Sequence, residues 1–303
     1  MSAAPKTGDL TLAGFGLARR RPGVLIGLTL LYLLSLAGGA YAFFVLTGPD
    51  FAKLLQPAAD GVEQTPPEVL HALQGVWMFE AAVILGALVI GSVGRCMVLR
   101  AVLRPEERAF ASLRFGGDEL RMMALLLMIW VIFGAAGLCL VSLFSGAALT
   151  FAAYNPWVGA AIGVFGLVAT VVLIAWMAIR FSLAGASTVA ERRISFGLEH
   201  TSGRGQALFG LGFRVFVITL AVSSIASLLL NPLLQGLMLE IARTGDPARA
   251  LRAVAPFLAL GGPAACILYA LNTMVMWAPF AAAYARFTGP EGAPGAAAEA
   301  QAA

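Results

Sequence analysis

Charge is scarce in this chain: Asp, Glu, Lys and Arg make up 12% of its 303 residues, about half the share in an ordinary soluble domain. With 60% of the residues hydrophobic, that scarcity excludes a water-soluble globule, since most of the chain falls into apolar runs wide enough to cross a bilayer. Cysteine is scarce too. Cys96, Cys139 and Cys266 show no Cys-x-x-Cys spacing, which excludes a disulfide framework and a zinc site and leaves them as small buried hydrophobes. The two histidines, His71 and His200, have no second histidine at i+3 or i+4 to build a metal site and read as solvated residues.

Catalytic patterns are missing as well. The chain has no zinc-protease, Gly-x-Ser-x-Gly or Gly-Lys-Ser/Thr motif, and Gly203-Arg204-Gly205 lacks the lysine and preceding strand of a phosphate loop. No enzyme, cofactor or metal is therefore expected. Lysine is nearly absent, with only Lys6 and Lys53 against 18 arginines; together with the abundant Ala and Gly, this is the usage of a GC-rich bacterial genome. The net charge of +4 and pI near 9.2 do not point to nucleic acid, because the arginines sit beside apolar runs, where anionic lipid is the commoner partner.

What is present is a set of six apolar runs, near 23–47, 76–99, 122–147, 157–180, 208–231 and 256–284. Each approaches the roughly 20 residues a spanning helix needs. The expected fold is all-α, a polytopic membrane bundle of six transmembrane helices over residues 1–287, followed by a disordered Ala-rich tail over 288–303. With the N-terminus inside, 16 Lys and Arg fall on the cytoplasmic side and four (Lys53, Arg243, Arg249, Arg252) outside. The positive-inside rule thus predicts cytoplasmic termini in a bacterial inner membrane. A cleaved signal peptide is a competing reading of Arg19 to Ala42, but its apolar stretch is too long and about 20 residues precede it.

The organisation repeats. Before the first, third and fifth spans lie arginine-bearing stretches, Asp9 to Arg21, Glu106 to Glu119 and Val189 to Ser202, each expected to form an interfacial helix feeding a hairpin. Units of about 9–100, 106–182 and 188–287 follow, either a true internal duplication or the ordinary look of short basic loops. Phe110, Leu113 and Leu120 share a helical face in the middle stretch. Thr188-Val189-Ala190-Glu191 reads as a capping box with Gly203 as a stop, and Thr65-Pro66-Pro67-Glu68 as a box that starts the second span above the membrane. A further surface helix is expected around Leu234 to Arg243.

The segment Arg114-Phe115-Gly116-Gly117-Asp118-Glu119-Leu120-Arg121, with Thr201-Ser202-Gly203-Arg204, resembles six-span bacterial membrane proteins related to the membrane domain of glycerophosphodiester phosphodiesterases. In those enzymes a separate soluble domain does the chemistry, and no such domain lies in these 303 residues. The resemblance implies a membrane module and carries over no active site.

Candidate functional residues follow from charge in the apolar layer. Arg95, Arg100, Arg114, Arg121, Arg192, Arg193 and Arg204 are expected lipid-headgroup contacts, Arg95 by snorkelling toward a phosphate. The expected partners are anionic membrane lipids, a partner membrane protein or a second copy of the chain. Glu80, the one carboxylate inside an apparent span, is a candidate proton or transport site, although it lies only about 6 Å below the outer boundary. Asn272 joins it in the alternative reading of a small transporter or lipid-exchange protein whose path uses the sixth span with Pro263 and Pro279. Ser223, Ser224, Ser227, Asn272 and Thr273 either line such a path or bond helix to helix. Gly159-Ala160-Ala161-Ile162-Gly163, continued by Gly166, predicts a close helix contact, in this chain or with another.

Overall fold

A computed structural model describes residues 10–46, 66–107, 116–244 and 247–289. Among them the structure is helical, with no strand. In chain order the helices are α1 (Ala13–Arg20), α2 (Pro22–Leu46), α3 (Pro66–Leu103), α4 (Gly117–Ala152), α5 (Pro156–Arg180), α6 (Ala184–Glu191), α7 (Leu198–Thr201), α8 (Gly205–Thr244) and α9 (Pro247–Thr288). Six of these segments are long and apolar enough to cross a membrane, which makes the chain a multi-pass membrane protein. Arg108, Phe110, Leu113 and Arg114 of the middle basic stretch, Thr65, and the expected tail from residue 290 lie outside the described residues.

Local chemistry sets the helix ends. Pro22 and Pro156 open α2 and α5, where a missing N–H costs nothing and φ is already helical. Asn155 caps α5, its Oδ1 accepting from the Trp157 N–H at 3.0 Å. At the start of α4, the Gly116 N–H donates to Glu119 Oε2 at 2.9 Å, while Asp118 and Glu119 place negative charge against the helix N-terminus. Three expectations are corrected. The helix assigned to Val189–Ser202 is two short helices, α6 and α7, broken by Arg192 at φ 54° and Gly197 at φ 65°. Thr188 lies inside α6 and is not its N-cap; the Ser/Thr-x-x-Glu spacing also occurs in a helix interior. The segment Leu234–Arg243 is the continuation of α8, which runs through Pro232. Likewise α9 is continuous through Pro256, Pro263 and Pro279, so the prolines do not interrupt it.

The described residues form two compact units, one from residues before 115 together with 215–279, the other from 115–214 together with those from 280 onward. The core of the first is built by Leu17 of α1, Val24 and Leu28 of α2, Val93, Met97, Val98 and Ala101 of α3, and Ala270, Met274 and Ala278 of α9. Spacing by four puts Ala270, Met274 and Ala278 along one face of α9, and α1 comes close there. Gly14 of α1 sits so near α9 that a Cβ would lie 2.5 Å from Val275 Cα and 2.7 Å from the Met274 carbonyl oxygen. Gly14 and Leu17 are the buried residues of this helix, and Leu10 just before it is buried as well. Arg21 ties the start of α2 to the end of α3, its Nη2 donating to the Pro105 carbonyl at 2.9 Å.

In the second unit α4 and α5 form a hairpin across residues 153–155. The buried positions of α5 are Gly159, Gly166, Thr170 and Met177, one stripe along the helix. A Cβ on Gly159 would lie 2.6 Å from Ala152 Cβ and 2.7 Å from the Ala148 carbonyl oxygen, and one on Gly166 would collide with Phe144. The glycine steps therefore serve a contact within this chain. Thr170 turns its hydroxyl back to the Gly166 carbonyl at 2.8 Å, so its polar group is satisfied within the helix. The outer faces are apolar: Val131, Leu138 and Leu149 of α4 and Val164, Phe165 and Leu167 of α5 are exposed, as expected where lipid is the solvent. Cys139 also lies on this exposed surface, whereas Cys96 and Cys266 are buried; the expectation of three buried cysteines holds for two of them.

Candidate functional site

In the first unit the polar groups of α2, α3, α8 and α9 gather inside the apolar layer. The Thr273 hydroxyl donates to the Tyr269 carbonyl one turn back at 3.0 Å. Its single proton being used, the Tyr32 hydroxyl, 2.6 Å away, donates to Thr273 Oγ1. Tyr32 and Tyr269 rings lie 6.3 Å apart, and Gly94 leaves room for Thr273 beside α3. One turn further along α9, the Trp277 ring carries the Arg95 guanidinium at 4.3 Å from its centroid. Among the described residues no carboxylate pairs with Arg95 and no acceptor takes a hydrogen bond from it.

Asn272 lies next to Thr273, and its Nδ2 donates to Ser223 Oγ of α8 at 3.0 Å. That bond joins two helices, as one of the two readings of these residues expects. Asn272 is 9% exposed, yet its Oδ1 has no hydrogen-bond partner among the described residues. Glu80 is elsewhere. It stands on an exposed face of α3 with no described residue paired to it, so the structure does not bring Glu80 and Asn272 together.

The second unit has a polar cluster where α6, α7 and the end of α9 meet. Glu191 Oε2 accepts from Arg193 Nε at 2.7 Å, and Oε1 accepts from the Tyr284 hydroxyl at 3.1 Å. His200 Nε2 lies 3.3 Å from Glu191 Oε1 and 3.6 Å from Glu199 Oε1, with its ring edge-on to Tyr284 at 5.1 Å. His200 is thus packed, where a solvated loop residue was expected. The carboxylate of Glu191 holds the exposed Arg193 guanidinium above its ordinary pKa, through their hydrogen bond first. Glu191, Glu199 and His200 bring three ligand atoms within 4.8 Å of one another, but a cation there would displace Arg193 and Tyr284 from Glu191. The arrangement works as a clasp between elements. The chain between α6 and α7 is clamped by Thr188, whose hydroxyl donates to the Ser195 carbonyl at 2.9 Å and accepts the Ser195 N–H at 3.1 Å. Gly197 is required by both its positive φ and the Leu183 carbonyl carbon 3.1 Å from where a Cβ would stand. Replacing Tyr284 with phenylalanine removes a donor from a charged acceptor and should cost about 1 to 2 kcal/mol, read as a lower thermal midpoint in detergent; an unchanged midpoint would show that the clasp contributes nothing.

The other candidate arginines are distributed as follows. Arg192 and Arg193 are exposed. Arg121 pairs with Asp118 at 2.9 Å, and Arg204 lies over the Phe287 ring at 4.4 Å. Arg100 is the least accessible at 6%, its Nε donating to the Cys96 carbonyl at 3.3 Å. Arg114 lies outside the described residues, as does the side chain of His71. Sequence reasoning did not anticipate Tyr32 or Tyr284, whose partners Thr273 and Glu191 lie 241 and 93 residues away and leave no local signal. No family model, no curated protein and no solved structure matches this chain.

Proposed function

We propose that this protein is a non-enzymatic, multi-pass component of a bacterial inner membrane, with cytoplasmic termini, that contacts anionic lipid through the basic stretches preceding its spans. One observation carries the reading: in both described stretches, exposed apolar side chains stand beside exposed arginines. In α1 these are Leu12 and Phe15, 56% and 38% exposed, with Arg19 and Arg20. Around α7 they are Ile194 and Leu198, each 45% exposed, with Arg192 and Arg193. Apolar groups that enter the acyl boundary next to cations that meet headgroups are the signature of a segment lying in the interface. Each such arginine is worth about 1 kcal/mol near an anionic leaflet. The kinship with phosphodiesterase membrane domains belongs to the same proposal.

The test is lipid enrichment. Protein released from nanodiscs of equal phosphatidylglycerol and phosphatidylcholine is expected to carry an excess of phosphatidylglycerol by native mass spectrometry, and Arg19→Gln/Arg20→Gln/Arg193→Gln should lose most of that excess. A wild-type lipid complement matching the nanodisc would overturn the reading. A second reading, transport or lipid exchange using Glu80 and the proline-bearing sixth span, is favoured by the unpaired Asn272 Oδ1 within the bundle.

A further inference from the structure

Arg95 lies four residues inside the end of the apolar run at 99, about 6 Å at helical rise. A cation in the apolar layer is compensated by a partner or by a headgroup that it can reach. The second half of α3 offers no partner, and neither does α9 beyond the Trp277 ring: among the described residues, Arg95 has no carboxylate partner and its five N–H donors have no acceptor. The ring lies against one face of the guanidinium, which fixes the plane and leaves the N–H edge open. Tyr32 is held by its hydrogen bond to Thr273. Arg95 is partly buried.

A guanidinium fixed in plane, with its fork free, matches two non-bridging oxygens of a phosphate better than it matches a spherical anion. We propose that Arg95, backed by Trp277, binds a single phosphate group. The proposal rests on the lipid-contacting reading but concerns one site of defined geometry. The same chemistry is offered by a phospholipid headgroup and by free phosphate, and the experiment separates them.

The full chain is released from the same mixed nanodiscs and activated in the gas phase until loosely held lipid is stripped. The wild type is expected to retain one phospholipid, and Arg95→Gln to lower that one-lipid population at least fivefold. Arg95→Lys, which keeps the charge and loses the fork, should fall between them. In parallel, delipidated protein in neutral detergent is titrated with inorganic phosphate: a rise in melting temperature that Arg95→Gln abolishes supports the site with free phosphate as occupant. If Arg95→Gln and wild type agree in both arms, the site is overturned. Should the glutamine variant fail to fold, lysine decides, because retention and phosphate response equal to wild type in Arg95→Lys overturn it. Bulk phosphatidylglycerol excess, read in the same spectra, reports on the wider reading alone. A missing excess with one Arg95-dependent lipid sinks the former and keeps the latter.

Discussion

Alanine at Gly159 is expected to lower the stability of the α4/α5 hairpin by about 3 kcal/mol, and leucine to prevent it from closing, because overpacking a seam without slack costs that much or more. The obstacle is backbone as well as side chain: the added Cβ would lie 2.8 Å from Ala152 Cα and 2.7 Å from the Ala148 carbonyl oxygen. Neither atom can move without displacing α4. Gly166 meets the rigid stem of Phe144 in the same way, about 10 Å along the helix, far enough for the two penalties to add. Gly137→Ala, in open space on α4, is the matched control. Trp130, Trp157 and Trp176 belong to this hairpin, so unfolding in mixed micelles followed by tryptophan fluorescence reports on it directly. A Gly159→Ala protein that unfolds with the wild type would show that the helices do not meet along this stripe.

Valine at Gly14 should detach α1. A Cβ there would stand 2.5 Å from Val275 Cα and 2.7 Å from its nitrogen, so the eight-residue helix cannot stay against α9. Leu10 and Leu17, now 8% and 9% exposed, lose their cover when it leaves. Each buried leucine of this kind contributes about 1.5 to 3 kcal/mol, and the docking of α1 has little else behind it within the described residues. Trypsin should then cut after Arg19 and Arg20 at least tenfold faster than in the wild type, while Gly16→Ala, with nothing near its added methyl, should leave cleavage unchanged. Equal cleavage of the Gly14 variant would mean that α1 is not seated on α9.

Hydropathy made the six spans legible, and it placed α5 at 156–180 nearly residue for residue. It could not say how far helices continue past the apolar layer, because a helix leaving the bilayer keeps its hydrogen bonds while its side chains turn polar. Thus α8 extends to Thr244, whereas Pro66 and Pro67 with Glu68 had marked the start of α3, ten residues before its apolar run. Pairing was illegible for a different reason. In water an amphipathic stripe marks the buried face, but α2 and α9 are apolar all round because their outer faces meet lipid. Hence the contacts of Tyr32 with Thr273 and of Arg95 with Trp277 emerge only in three dimensions. Glycine spacing was the exception, since Gly159 and Gly166 mark a face by what they lack. The candidate site was half visible: Arg95 and Asn272 stood out as polar groups in apolar runs, whereas their partners Trp277 and Ser223 did not.

The hairpin seam has one more consequence. From Met122 to Ile179 the chain contains no aspartate, glutamate, lysine, arginine or histidine, and its contact is made by glycine, alanine, phenylalanine and a threonine bonded to its own helix. Such a seam has nothing to titrate and nothing for dissolved ions to screen. Acidity and ionic strength are therefore expected to reach the α4/α5 contact through the charged groups at the helix ends, Asp118, Glu119 and Arg121 of α4 and Arg180 of α5, and not through the seam itself.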